Sequence, residues 1–311
     1  MKRKVIQLAG KTAVVSLPSK WVKKYSVKKS DEIEIEERGN ELIIKTESQN
    51  KHRAIALDIN DFSDKTLRYC ISGLHKAGYD EIILNYSKPQ FNESINDLVA
   101  NLMLGFVVSE HTDKKIVLRN IASEDRSEFN SSLRRCFLVA LNLADSSLEM
   151  LKSSDFSILS SLSSLEKSTN QLSSFCLRLI NKGVNIKNED SIFTSIVVWS
   201  LEKIADEYKN IFELVARNKV KVNVEILSLY SKINIFLRAY YNFYYNFDPR
   251  VLNELNDNKI EIIKEANKIK TFSREEIQII NYLMTVVSKV SDLNSSIFAL
   301  NHEKLSVKFI Y

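Results

Sequence analysis

The first 47 residues, MKRKVIQLAGKTAVVSLPSKWVKKYSVKKSDEIEIEERGNELIIKTE, hold four short β-type runs around a single helical stretch. Val5–Leu8 and Thr12–Leu17 are rich in β-formers, and Ala9-Gly10-Lys11 between them reads as a tight turn. Pro18 then opens a helix over Ser19–Tyr25, because the N–H that proline lacks is not needed at a first helical position. Ile33 and Ile35 alternate with Glu32, Glu34 and Glu36, the period of a half-buried strand. Leu42–Lys45 returns after Arg38-Gly39-Asn40-Glu41, a hairpin turn whose Gly-Asn pair tolerates positive φ. A β-β-α-β-β unit of fewer than fifty residues cannot bury both strand pairs by itself, so the fold requires a second copy.

Charge divides the same segment in two. Between Met1 and Ser30 the ionisable groups are Lys2, Arg3, Lys4, Lys11, Lys20, Lys23, Lys24, Lys28 and Lys29, with no Asp or Glu. From Asp31 to Glu47 seven acids face only Arg38 and Lys45. A face of one sign attracts polyanions, nucleic acid above all.

The run Gly10-Lys11-Thr12…Val15-Ser16-Leu17-Pro18…Trp21…Tyr25-Ser26-Val27-Lys28-Lys29-Ser30-Asp31-Glu32-Ile33 resembles the AbrB/SpoVT swapped-hairpin DNA-binding domain over nearly all of residues 1–47. The resemblance implies two chains interleaving their hairpins into one barrel, a homodimer with its basic face on the DNA backbone. Arg3, Lys4, Lys11, Lys20 and Lys24 are the expected phosphate contacts, and lysines on phosphate confer affinity more than sequence choice. Ser26 and Ser30 stand where that family commonly has glycine, so strain is expected in the turns after the helix.

Over the whole chain the composition is that of an ordinary globular protein, 44% apolar and 27% charged. The net charge of +5 comes mostly from the N-terminal segment, which excludes nucleic-acid coating by the bulk of the chain. Cys70, Cys136 and Cys176 are scattered and odd in number, the pattern of free thiols in a reducing cytoplasm. The basic start lacks a signal-peptide core, and no run approaches a membrane span. A cytoplasmic protein without membrane insertion is expected.

After a polar linker, Ser48–Lys51, strands at 54–59 and 81–86 alternate with helices at 64–77 and 93–105. Two further strands flank a turn at His111-Thr112-Asp113. This is a small sheet with helices on one side. No phosphate loop or catalytic cluster is visible there, and His75 and His111 read as packing or surface residues. With six Gly and three Pro in 311 residues, long helices are expected elsewhere. From Asp125 onward apolar residues recur at three and four, giving six helices near 126–153, 155–182, 189–219, 223–247, 249–270 and 273–303. The serine-rich stretch from Ser153 to Ser174 retains regularly spaced leucines and reads as helix. The run Tyr240–Phe247 reads as helix–helix packing.

Leu201–Ile211 aligns with Val287–Ile297, pairing Lys203 with Lys289 and Asp206 with Asp292, which implies a tandem repeat of three-helix bundles. Glu202 and Asp206 lie one helical turn apart, a spacing able to hold a hard cation or iron. This helix resembles the signature helix of PhoU phosphate-uptake regulators, and Tyr79-Asp80-Glu81-Ile82, Gly105-Phe106 and Leu133-Arg134-Arg135 extend the likeness to archaeal PhoU-like regulators with an AbrB-type domain in front. The PhoU family binds metal on acid-x3-acid motifs. That implies an ion such as iron or magnesium at Glu202 and Asp206, with Asp292 as the repeat's equivalent. Glu166-x3-Asn170 and Ser288-x3-Asp292 have each lost one acid, and Glu261-x3-Glu265 keeps both.

The sequence therefore reads as an α+β multi-domain protein. A swapped-hairpin domain (1–48) precedes an α/β connector (52–124) and a mainly α PhoU-like region (125–311) of two bundles, about 125–220 and 223–311. The function expected is non-enzymatic DNA-binding regulation of phosphate homeostasis. The alternative is a PhoU-type adaptor that contacts phosphate-transport or signalling proteins and uses the hairpins only to dimerise.

Overall fold

The computed structural model describes residues 2–8, 10–38, 41–46, 52–87, 91–184, 188–271 and 273–305. The chain forms two compact units, Met1–His52 and Arg53–Tyr311. No helix among the described residues is long and apolar enough to cross a membrane.

In the first unit β1 (Ile6–Leu8) pairs antiparallel with β2 (Thr12–Val14), setting Ile6 opposite Val14 and Leu8 opposite Thr12. Helix α1 (Ser19–Lys24) follows Pro18, whose carbonyl accepts the Val22 N–H. Then β3 (Ile33–Arg38) pairs with β4 (Glu41–Thr46), Ile35 opposite Ile44 and Arg38 opposite Glu41. Ala9, the Gly39-Asn40 turn and the linker Ser48–Lys51 lie outside the described residues.

The second unit begins with a four-stranded sheet. Strands β5 (Ala54–Asp58), β6 (Glu81–Asn85), β7 (Phe106–His111) and β8 (Lys115–Asn120) stand in the order β5-β6-β8-β7. Only β5 and β6 run parallel, and the crossover that a parallel pair needs is α2 (Asp64–Lys76). Ser63 caps α2, accepting the Thr66 N–H, and Gly78 closes it at φ +86°. Helix α3 (Asn92–Asn101) is shorter than the 93–105 expected, because the chain must turn through Gly105 (φ +84°) to bring Phe106 into β7. Ile82, Leu84, Ile116 and Leu118 bury against Leu67, Ile71, Ile95 and Leu98 of the two helices.

The rest is helical: α4 (Arg126–Ser153), α5 (Leu159–Asn181), α6 (Asn188–Asn218), α7 (Val224–Tyr245), α8 (Val251–Ala266), α9 (Arg274–Ser291) and α10 (Leu293–Leu300). The serine-rich α5 is helical throughout, its hydroxyls bonding back to carbonyls one turn earlier, as Ser164 does to Ser160 and Ser168 to Ser164. The last expected helix, 273–303, is broken at Asp292. Ser291 Oγ donates to the Val287 carbonyl, a back-bond that bends helices. Helices α4, α5 and α6 pack together, as do α7, α8 and α9. But α4 also packs on α7, and α6 on α9 and α10, so both triplets share one continuous core. The aligned pairs Leu201/Val287, Ile204/Val290, Ala205/Ser291 and Ile211/Ile297 are all buried in it. In the aromatic run of α7, Tyr240 and Phe243 are buried, and Tyr241, Tyr244 and Tyr245 surround Phe137 of α4.

A buried charge network joins the sheet layer to α5. Arg178 is fully buried; its Nη2 donates to Asp80 Oδ1 at 2.6 Å, its Nε to Glu124 Oε1 at 2.6 Å, and its Nη1 to the His75 carbonyl at 3.1 Å. Lys182, one turn later, pairs with the same two carboxylates. A Cβ on Gly78 would lie 2.7 Å from Lys182 Cγ, so that position needs glycine for space as well as for φ. Burial opposes ionisation of Asp80, yet Lys182 and the Arg53 N–H hold its carboxyl below the ordinary value.

Beside this network His75 packs against Phe106, with Nδ1 3.1 Å from Ser174 Oγ, while His111 is exposed on β7. Burial, helped by the Arg178 charge, lowers the His75 imidazole to about 3. An unfolded histidine takes up its proton near pH 6.5, so between that pH and about 3 the unfolded chain binds the extra proton. Stability from His75 is thus full above pH 6.5 and falls with acidification. Equilibrium denaturation at pH 7 and pH 5 should show the wild type losing about 2 kcal/mol more than His75→Phe. Equal losses would mean that His75 is not held neutral.

Candidate nucleic-acid interface

The basic half of the first unit is built from three short pieces. Arg3 and Lys4 lead into β1, Lys11 stands at the β1–β2 turn, and Lys20 and Lys24 lie one turn apart on α1. The turn is made by Gly10 at φ +72°, with the Lys11 N–H on the Leu8 carbonyl and Gln7 Nε2 on the Gly10 carbonyl. That geometry holds Lys11 at the hairpin tip, far from Arg3 and Lys4 at its open end. All five side chains are exposed. Arg3, Lys4, Lys11 and Lys20 make no ion pair among the described residues, and Lys24 Nζ lies 5.3 Å from the Tyr25 ring centre. Tyr25 in turn packs on Trp21, with ring centres 5.3 Å apart. Unneutralised ammonium and guanidinium groups on short, rigid elements suit phosphate contact.

The turns after α1 carry the expected strain. Ser26 sits at φ +53° and Ser30 at φ +76°, in the left-handed region that costs a residue with a Cβ roughly 1–2 kcal/mol. The Val27 N–H reaches back to the Val22 carbonyl, the six-residue closure of a helix end that glycine normally serves. Asp31 fixes the second turn, its carboxylate accepting the Lys28 N–H at 2.7 Å. Ser26→Gly and Ser30→Gly should each stabilise the first unit, by up to about 1 kcal/mol after glycine's larger chain entropy is deducted. Thermal unfolding followed through Trp21 fluorescence measures this; a lowered midpoint in both variants would contradict it.

Apolar groups in this unit are left uncovered. No described side chain among residues 2–46 is buried, and Val5 (72% exposed), Ile6 (55%), Leu8 (56%), Ile35 (57%) and Leu42 (67%) present their side chains outward. On the first hairpin Ile6, Leu8 and Val14 share one face; on the second Ile33, Ile35, Leu42 and Ile44 do. Two amphipathic hairpins without a core are half of a structure.

The acids named as metal ligands lie in the second unit. Glu202 on α6 accepts from Ser173 Oγ at 3.1 Å and from Lys203 Nζ at 3.2 Å, and Lys203 reaches Asp206 at 2.8 Å. Burial works against the Lys203 charge, but Asp206 and Glu202 together raise its pKa above the ordinary value. Asp292 is exposed between α9 and α10, its carboxylate without hydrogen bond or ion pair among the described residues. Among those residues no group of three or more His, Cys, Asp or Glu gathers as metal ligands. The Lys203 ammonium thus lies between the two carboxylates of the Glu202–Asp206 pair.

The Arg178 network escaped the sequence reading. Its one signal was an arginine inside the apolar run Leu177-Arg178-Leu179-Ile180, whose partners lie 54 to 103 positions away.

No curated protein and no solved structure matches the chain. Residues 6–52, the segment that carries both hairpins and α1, match the family model of the antidote-toxin recognition protein MazE, a bacterial antitoxin.

Proposed function

We propose that the chain is a DNA-binding regulator that acts as a dimer through its first unit. The carrying observation is the exposed set Arg3, Lys4, Lys11 and Lys20, unpaired among the described residues, on a unit whose apolar hairpin faces call for a second copy. The match of residues 6–52 to a MazE-type antitoxin family supports a swapped-hairpin domain for this segment. Dimerisation doubles the number of phosphates that one protein can neutralise, and with it the salt dependence of binding. The second unit has no comparable basic run, and its role is to receive a signal or a partner. Phosphate homeostasis as that signal rests on the likeness of Leu201–Ile211 and its companions to PhoU helices alone. A toxin-neutralising role, which the matched family's description names for its members, is the second reading, and the same match supports it. Fluorescence anisotropy of a labelled duplex with the full chain in low salt tests the proposal. Saturable binding at sub-micromolar protein is expected, and no binding at 50 mM salt would overturn it.

A further inference from the structure

We propose that three lysines act as built-in counter-cations for the carboxylate pairs of the helical region, so that this region folds and works without a divalent ion. Three of the sites at this spacing meet a lysine ammonium among the described residues. Lys203 lies between Glu202 and Asp206 of α6 at 3.2 and 2.8 Å. Lys209, two turns along α6 from Glu202, reaches Glu166 Oε1 of α5 at 3.2 Å, where Asn170 Nδ2 also donates at 2.7 Å. Lys232 of α7 spans Glu261, at 3.6 Å, and Glu265 of α8. The repetition carries the inference: Lys203 and Lys232 each span an acid-x3-acid pair, and Lys209 meets the single acid of a third site. It follows a simple rule. Two carboxylates one turn apart repel and attract any cation, and a tethered ammonium meets that demand without a free ion. It also explains why Asn170 is tolerated opposite Glu166, since one lysine needs only one carboxylate for neutrality.

The energetic weight is unequal. Lys232 and Glu261 are largely exposed and contribute little, whereas the Glu166 side chain is 4% exposed and depends on its partner. The test therefore has two arms on the full chain. In the first, metal content is measured after purification with added manganese, magnesium and ferrous salts and desalting, and melting is compared with and without EDTA. The expected result is no stoichiometric metal and an unchanged midpoint. Retained metal at one ion per chain, or a midpoint lowered by EDTA, would overturn the proposal. In the second arm Lys209→Met should melt several degrees lower than wild type, because Glu166 is left charged and buried. Glu166→Gln combined with Lys209→Met should recover most of that loss, and Lys209→Arg should retain the wild-type midpoint. Additive losses in the double variant would show that Lys209 acts by packing and not as the counter-charge of Glu166, which sinks the inference.

Discussion

Exchanging Lys11 and Lys20 for glutamate is expected to lower affinity for duplex DNA by on the order of a thousandfold at 0.1 M salt. Each protomer then loses two phosphate contacts and the dimer four, and each contact carries about 0.9 of a decade at that concentration. Both residues are exposed, and neither makes an ion pair among the described residues, so their replacement removes charge without removing a native contact. Lys20 occupies the first turn of α1, which has no acid there, and a glutamate at that place is favoured by the positive end of the helix. Light scattering should accordingly report an unchanged dimer. A dimeric double variant that binds as tightly as wild type would remove DNA contact from the basic face. It would place the DNA contact elsewhere on the chain and leave the hairpins as a dimerisation device.

The second large effect is expected at Arg178. Arg178→Met removes the guanidinium that donates to Asp80, Glu124 and the backbone carbonyls of His75 and Tyr79, and leaves Lys182 to serve both carboxylates. Removing one partner of a buried charge cluster costs roughly 3–5 kcal/mol, because the opposite charges remain buried. Urea denaturation followed by circular dichroism should show a loss of that size in the second unit. DNA affinity per folded molecule should be unchanged, since the proposed phosphate contacts lie in the first unit. A loss below about 1 kcal/mol would mean that Lys182 alone satisfies the cluster. Replacing Asp80, Glu124 and Arg178 together by apolar residues of similar shape should restore much of the stability, in keeping with the desolvation that such clusters incur.

The sequence showed most clearly what local chemistry decides. The three-and-four spacing of Leu201, Ile204, Ala205, Tyr208 and Ile211 put one stripe of α6 into the core, and every one of these residues is fully buried. Gly78 announced the end of α2, and the positive φ of Ser26 and Ser30 was foreshadowed by the glycines expected at those places. What long-range pairing decides was hidden. No periodicity could say that Arg178 would meet Asp80 and Glu124, or that Lys209 would reach back to Glu166. Acid-x3-acid spacing reports where carboxylates stand and not which ammonium a neighbouring turn or helix brings to them. The break at Asp292 was likewise invisible in the apolar spacing, which runs on through Val290, Leu293 and Ile297. At the candidate interface, the charge of Met1–Ser30 was plain in the sequence. That none of the described side chains in that unit is buried became plain only with the fold.

The central claim is that the basic half of a dimerised first unit neutralises DNA phosphates. Its most direct test is the affinity of the full chain for one duplex measured across a salt series. Five phosphate contacts per protomer predict a log–log slope of roughly −9. A flat response, or a slope near zero with binding still present, would contradict the account.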